Sequence, residues 1–309
     1  MNIRSTLSVM PKLAGVLTLA LVMLGVGACA TVDRQQVGSW REAVVATREQ
    51  SAVTFRAANE LVRDSQLKRA KRLAELKEED FSPGLDGLSV RRWNAALDAM
   101  AQYAGAVEQL LSPDLPASVG ESLKKTGAQL STTANLPLLE ANGAISTAIG
   151  AIGKKLVAMA ANTRARDIML ATDADVKALT EAMAKIMYDD SPIPGADPEA
   201  AARTAIAATV ETTWNQRLAE IESEFRASSP DAKRGLVKRY IDQVAGKHAA
   251  LDAVMGLRRT LLDLGPAHTA AAQGRATSLE SVIAAAREQV TVVSAVIAQL
   301  QAERAAAAH

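Results

Sequence analysis

"LESVIAAAREQVTVVSAVIAQL", Leu279 to Leu300, is the stretch that decides the fold of this chain. Its apolar residues recur at alternating intervals of four and three, which places them along one face of an α-helix that packs against other helices. These positions are Leu279, Ile283, Ala286, Val290, Val293, Ile297 and Leu300. The pattern predicts a long helix over about 267–306 with a coiled-coil-like seam.

The composition of the whole chain agrees with a helical fold. Alanine accounts for 62 of the 309 residues, whereas Trp, Tyr and Phe together contribute nine. Alanine has the highest helix propensity, and Leu, Glu, Gln, Arg and Lys follow it closely. No segment alternates β-branched or aromatic residues with polar ones between turn residues, as a strand would. We therefore predict an all-α protein, an elongated bundle of about six or seven helices, several of them long and coiled-coil-like.

Proline, glycine and capping residues predict where the helices of the N-terminal half begin and end. The apolar spacing predicts a first helix over 35–80, and "FSPGLDG" at 81–87 separates it from a second helix over 89–111. Further along, "TDAD" at 172–175 is similar to a capping box. It predicts that a helix begins there and continues to about Tyr188.

The C-terminal half carries its own start and stop signals. "SSP" at 228–230 predicts a serine N-cap followed by proline in the first turn, and "LGP" at 264–266 predicts the end of that helix. "DDSPIPGADP" at 189–198 is the most loop-like stretch of the chain. It divides an N-terminal helical part, residues 35–190, from a C-terminal long-helix part, residues 191–309, and we expect both to pack in one bundle.

The N-terminal residues have the features of a secretory signal peptide. Arg4 and Lys12 precede 16 residues without a charge, and the only cysteine, Cys29, follows this apolar run. The run is shorter than the roughly 20 apolar residues that a membrane-spanning helix needs. "VGAC", Val26 to Cys29, resembles the lipobox of bacterial lipoproteins.

The lipobox resemblance implies a processed and lipid-anchored protein. It implies removal of residues 1–28, a diacylglyceryl group on the sulfur of Cys29 and an acyl group on the new amino terminus, with 29–34 as a lipidated short tether. Several acyl chains make membrane attachment durable. The residue after the cysteine is Ala30 rather than an aspartate. This resembles the default outer-membrane sorting signal of Gram-negative lipoproteins. We expect a cell-envelope protein on the outer membrane facing the periplasm, with surface exposure left open.

Charge and motif content argue against several function classes. The net charge is +1, and without Arg4 and Lys12 it becomes −1, so the mature chain has no basic excess to attract nucleic acid. A lipidated Cys29 is neither a nucleophile nor a disulfide partner. None of the usual zinc, nucleophile or phosphate-binding motifs is present. We therefore predict no enzyme activity, no cofactor and no metal.

Other polar residues are weaker candidates. The histidines are His248, His268 and His309. We interpret the first as an interface residue within a helix, the second as a neighbour of the "LGP" break and the third as a terminal residue. Asp189, Asp190 and Asp197 could offer oxygen atoms to a calcium ion, but they lack the spacing and the closing glutamate of an EF-hand. A solvated loop, with Asp197 as a helix cap, is the favoured interpretation.

Two further stretches have alternative interpretations. Leu136–Asn162 is apolar and rich in glycine, which by analogy resembles the membrane-inserting segments of helical pore-forming toxins. Its charge-free part is too short to span a bilayer, so a central helix buried on all sides is favoured. "LKRAKR" at 67–72 is basic, but "ELKEED" follows directly, which indicates a solvated helix end.

These features together predict a non-enzymatic, lipid-anchored interaction or scaffolding bundle of the envelope. Its expected partners are the membrane, through the N-terminal lipid, and an envelope protein, with no role for nucleic acid. One alternative is a periplasmic sensor or ligand-binding bundle, whose pocket would be lined around Trp93, Tyr103 and Trp214. A second alternative is a membrane-inserting, pore-forming-like bundle.

Overall fold

A computed structural model describes residues 32–70, 87–112, 118–134, 143–161, 164–188, 206–275 and 279–307. These residues form eight α-helices and no strand, which confirms the all-α class, although the number of helices exceeds the predicted six or seven. The helices are α1 (Arg34–Ala70), α2 (Gly87–Leu110), α3 (Val119–Ala134), α4 (Gly143–Ala158), α5 (Ala165–Met187), α6 (Ile206–Ala227), α7 (Pro230–Ala272) and α8 (Glu280–Ala307). At 1.5 Å per residue, α7 alone is about 65 Å long.

Helices α1 and α7 run antiparallel through the centre of the bundle. Helix α2 packs along α1 from Arg34 to Phe55, and α8 packs along it from Glu42 to Glu60. Helix α6 packs against α1 near Asp64, while α5 packs against α7. The α3–α4 hairpin packs against α2 and α5. One hydrophobic cluster extends from Val32 to Leu300 and includes residues from both sides of the 189–198 stretch.

The two helices of the α3–α4 hairpin approach each other through glycines. A Cβ atom on Gly127 would lie 2.6 Å from the carbonyl oxygen of Gly153, closer than real Cβ atoms come. In α4, Ile149 and Ile152 are buried, whereas Lys154 is exposed. The expectation that this part of Leu136–Asn162 is buried on all sides was therefore wrong: α4 buries a single face.

The predicted signals near residues 172 and 265 were also wrong. "TDAD" at 172–175 lies inside α5, which begins at Ala165. "LGP" does not end α7, which continues through Pro266 to Ala272, and the next helix begins at Glu280 rather than near 267.

Helix α7 ends at a different glycine. The N–H of Arg275 donates to the carbonyl of Ala270, and the N–H of Gly274 donates to that of Ala271. Gly274 has a positive φ of 65°, so this is the two-bond arrangement that glycine favours after a helix.

The remaining helix signals agree with the structure where it describes them. Helix α7 begins at Pro230 after Ser229, as predicted, and the seam positions of α8 are buried except for the partly buried Val290. Several expectations lie outside the described residues: the signal peptide, Cys29, the part of the first helix after residue 70, and the acidic residues Asp189, Asp190 and Asp197.

Candidate functional sites

Four helices meet at a buried polar cluster that the sequence did not single out. We call Tyr103 of α2, Thr172 and Asp173 of α5, and His268 of α7 the histidine junction. The ring of Trp40, on α1, covers it with a centroid 5.0 Å from His268 and 5.9 Å from Tyr103. Because α7 continues past Pro266, His268 points into the bundle and is completely buried.

Hydrogen bonds connect the histidine junction in a continuous chain. His268 Nδ1 lies 3.0 Å from Asp173 Oδ1, and His268 Nε2 lies 2.9 Å from the hydroxyl of Tyr103. The Tyr103 hydroxyl lies 2.6 Å from Thr172 Oγ1. At the outer end, Asp173 also accepts a 2.8 Å hydrogen bond from Thr269 and forms a 3.0 Å ion pair with Lys177.

Burial determines which groups of the histidine junction are protonated and therefore which group donates each hydrogen bond. Burial lowers the pKa of His268, while hydrogen bonds from His268 and Lys177 hold the pKa of Asp173 well below its usual range. The ring is therefore neutral at pH 7, and its Nδ1–H donates to the carboxylate. Nε2 then accepts from the Tyr103 hydroxyl, which in turn accepts from Thr172.

The histidine junction contains the residue types of an acid–base site, but its reactive atoms are inaccessible in this conformation. Tyr103, Thr172 and His268 are all fully buried. Burial also raises the pKa of Tyr103, so its phenol stays protonated and is a poor nucleophile. The geometry therefore supports a structural role, in which polar groups of three helices satisfy one another.

A second polar cluster joins α1, α6, α7 and α8. We call Asp64, Arg217, Gln243 and Glu303 the arginine junction. Arg217 is 2% exposed and forms an ion pair with Asp64, while it donates to Glu303 at 2.7 Å and to Gln243 at 2.8 Å. Gln243 donates in turn to Glu303 at 2.7 Å. The Arg217 guanidinium also lies 5.0 Å from the ring centroid of Trp214.

The α6–α7 hairpin extends beyond the arginine junction, and most residues at its end are exposed. We define residues 220–242 as the hairpin tip. Three contacts hold its two helices together: an ion pair between Arg239 and Glu224, a 3.0 Å hydrogen bond from Tyr240 to Glu222, and Lys233 at 4.9 Å from the Phe225 ring centroid. The hydrogen bond to Glu222 raises the pKa of Tyr240.

A groove opens between the two helices of the hairpin tip. It has a volume of about 270 Å³ and is mainly apolar. Its lining comprises Ile221, Glu222, Phe225, Arg226, Leu236, Val237 and Tyr240. Val237, in the lining, is 46% exposed, and the nearby Ile241 is 60% exposed, the largest value among the described large hydrophobic residues. Apolar side chains exposed together at the end of a projecting hairpin indicate an interaction surface.

The structure does not bring the predicted pocket aromatics together. Trp93 packs edge-on against Phe55, Tyr103 belongs to the histidine junction, and Trp214 packs against Gly246. Tyr103 packs beside Trp40 of α1 and Trp93 beside Phe55, whereas Trp214 packs with residues of α7 and α8 that face Ala57 to Leu61. The three aromatic residues therefore do not line one pocket.

The other predicted polar residues also lie apart from one another. His248 is exposed, so its interpretation as an interface residue within the bundle was wrong, and His309 lies outside the described residues. In the part of the chain that the structure describes, no group of three or more His, Cys, Asp or Glu side chains could hold a metal ion.

Sequence reasoning missed both junctions because each assembles residues from distant helices. Tyr103 and His268 are 165 positions apart, and Asp64 and Arg217 are 153 apart. One local pattern could have indicated a buried polar residue: a polar side chain in a helix with apolar residues three or four positions before and after it. Arg217 fits this description, with Trp214 three positions before it and Ile221 four positions after it.

Comparison with known proteins adds no assignment. No protein-family model matches the chain, and neither does any curated protein or solved structure.

Proposed function

We propose that this protein is a lipid-anchored component of the bacterial cell envelope, and that its helical bundle is a non-enzymatic interaction module. In this proposal Cys29 carries the lipid, the coiled-coil-like bundle is a rigid spacer, and the hairpin tip contacts a partner protein. The outer membrane, with the bundle facing the periplasm, is the proposed location.

The observation that carries the proposal is the position and chemistry of the hairpin tip. Arg34 begins α1, and α6 runs parallel to α1, because Val210 and Trp214 pack with Ala57 and Leu61 and Arg217 pairs with Asp64 further along both helices. Along the helix axes, the tip therefore lies about 60 Å from Arg34. A long bundle with its proposed anchor at one end and exposed apolar residues at the other is suited to reaching a partner at a distance.

Cysteine replacement tests the anchor. Cys29→Ser should abolish palmitate labelling and release the protein from the membrane fraction, because the thiol is the proposed attachment point. Unchanged labelling and full membrane retention of this variant would contradict the proposal.

Photo-crosslinking tests the interaction surface in intact cells. A photoreactive amino acid at Ile241, in the tip, should yield a discrete adduct with an envelope protein, whereas the same group at the exposed Val292 of α8 should not. Both positions are exposed, so the comparison separates a specific contact from general proximity. Equal adducts from the two positions, or none from Ile241, would count against the tip.

One observation favours membrane insertion as a second candidate function. Glu280–Ala305 of α8 has the length and the apolar composition needed to cross a membrane. Only 28% of its most apolar stretch of 18 residues is buried in the bundle. The candidate segment is thus α8 rather than Leu136–Asn162. Under this alternative, the chain without lipid should release dye from liposomes and Val292→Glu should prevent the release. An inactive wild-type chain would exclude it.

A further inference from the structure

The groove of the hairpin tip is the continuation of a groove that is filled elsewhere in the bundle. Closer to the centre, Val210 and Trp214 of α6 pack with Ala57 and Leu61 of α1, and the space left between them is only about 10 Å³, the volume needed for a single water molecule. At the tip, the described residues that line the groove belong to α6 and α7 alone. Two helices that pack side by side leave an apolar groove into which a third helix fits.

Beside the groove, acidic side chains already have polar partners, whereas two basic side chains have no ion-pair partner among the described residues. Glu222, which lines the groove, and the neighbouring Glu224 already bind Arg226, Tyr240 and Arg239. Arg234 and Lys238 are exposed, and no described residue forms an ion pair with either of them.

These two cations share one face of α7 with the exposed apolar residues. The face comprises Arg234, Val237, Lys238 and Ile241, which follow the spacing of three, four and seven residues. Among the described residues, it therefore presents two positive charges that have no ion-pair partner next to two exposed apolar side chains.

We propose that the hairpin tip binds an acidic amphipathic helix of a partner protein. Its apolar stripe packs on Phe225, Val237 and Ile241, and its carboxylates pair with Arg234 and Lys238. This inference rests on the proposed function and specifies the chemistry of the partner.

A helix fits these observations better than an anionic membrane surface does. Attraction to anionic lipid depends on a net excess of Lys and Arg near the surface. The tip has five basic and five acidic residues, so its net charge is zero. The favourable charge is local, at the edge of a concave groove, which suits a partner with matched local charge.

Designed peptides test the proposal directly. The protein is the mature chain without its lipid, residues 30–309, which contains every described helix. The probes are two labelled helical peptides with the same apolar stripe, one flanked by glutamates and the other by lysines, and binding is measured by fluorescence anisotropy. We expect the acidic peptide to bind at least about tenfold more tightly than the basic one.

Substitutions in the tip assign the binding to this surface. The double variant Arg234→Glu and Lys238→Glu should reverse the preference between the two peptides. Val237→Ser with Ile241→Ser should weaken binding of the acidic peptide about tenfold. Val292→Ser, at an exposed apolar position of α8 whose exposure is close to that of Val237, should leave binding unchanged. Circular dichroism and the melting temperature check that each variant is folded.

Each alternative ligand of the groove predicts a different experimental result. Equal binding of both peptides, binding unaffected by the tip variants, or no binding would overturn the proposal. Stronger association with anionic phospholipid vesicles would assign the tip to a membrane, and self-association that the tip variants abolish would assign it to a second copy of this chain. If the cross-link from Ile241 persists while the acidic peptide fails to bind, the interaction surface stands and only the partner chemistry is wrong.

Discussion

The histidine and arginine junctions lie on the same pair of central helices but differ in the charge of their buried side chains. They are separated by about 38 Å along α7, the distance from His268 to Gln243. The histidine junction keeps its buried ring neutral and places its ionised carboxylate, Asp173, near the surface beside Lys177. The arginine junction instead buries a full positive charge, that of Arg217, against Asp64 and Glu303.

This difference predicts how the two junctions respond to substitution. A neutral hydrogen-bonded chain that loses one member leaves an unsatisfied polar atom, whereas a buried ion pair that loses one partner leaves an uncompensated charge. The second loss has the larger cost. The arginine junction should therefore be the more sensitive to side-chain removal, and the histidine junction the more sensitive to pH.

The largest effect is expected from Arg217→Met. It leaves the carboxylates of Asp64 and Glu303 without their buried cation, and the free energy of unfolding should fall by about 3–5 kcal/mol. Urea unfolding followed by circular dichroism measures the change. A triple variant that also carries Asp64→Asn and Glu303→Gln removes both charges and should regain most of the loss. Wild-type stability in the single variant would show that the buried pair is unimportant.

A smaller loss is expected from Tyr103→Phe in the histidine junction. The ring keeps its packing against Trp40, but His268 Nε2 loses its donor, while Thr172 can still donate to the carbonyl of Ile168 at 2.9 Å. One unsatisfied buried acceptor should lower the free energy of unfolding by about 1–3 kcal/mol. Tyr240→Phe, at the hairpin tip, is the matched control and should change it by less than about 0.5 kcal/mol. Equal effects of the two substitutions would contradict the argument.

A substitution at the C-terminal end of α7 should affect the two junctions differently, because only the histidine junction lies close to that end. Gly274→Ala places a side chain at a φ of 65°, which should cost about 1–2 kcal/mol. Gly235→Ala, in the same helix, meets no atom within 4 Å and should instead stabilise the fold slightly. Hydrogen exchange should show faster opening around His268 in Gly274→Ala, with exchange around Gln243 unchanged. Uniform acceleration along α7 would mean that the helix opens as one unit.

The smallest effect is expected from a change of pH between 7.5 and 6.0. Because burial lowers the pKa of His268 below that of an unfolded histidine, the unfolded state binds more protons in this range, and stability falls as the pH falls. The lowered pKa of Asp173 adds a loss only at more acidic pH, as the pH falls through the ordinary pKa of an aspartate and below it. Urea unfolding at the two pH values should show a shallower dependence in His268→Gln. An identical dependence in both proteins would show that His268 does not titrate as a buried neutral group.

The helical class and the buried faces could be predicted from the sequence because both depend on spacing along one helix. The seam of α8 from Leu279 to Leu300 is an example, and the start of α7 at Ser229 and Pro230 is another. The stop predicted at Gly265 and Pro266 failed because packing outweighs a local signal. Residues 267, 268 and 270–272 are buried beyond that proline, and Trp40 donates to the carbonyl of Leu264 at 2.9 Å.

The sequence by itself determined the properties that neighbouring residues share: helical class, the apolar faces and the mixed charge of the hairpin tip. Only the tertiary structure decided which polar residues meet. "TDAD" was interpreted as a helix start because Thr172 and Asp173 are common at caps, yet in mid-helix they bind Tyr103 and His268. A hydrogen bond depends on a separation of about 3 Å in space, and residues up to 165 positions apart reach that separation only when the whole bundle has packed.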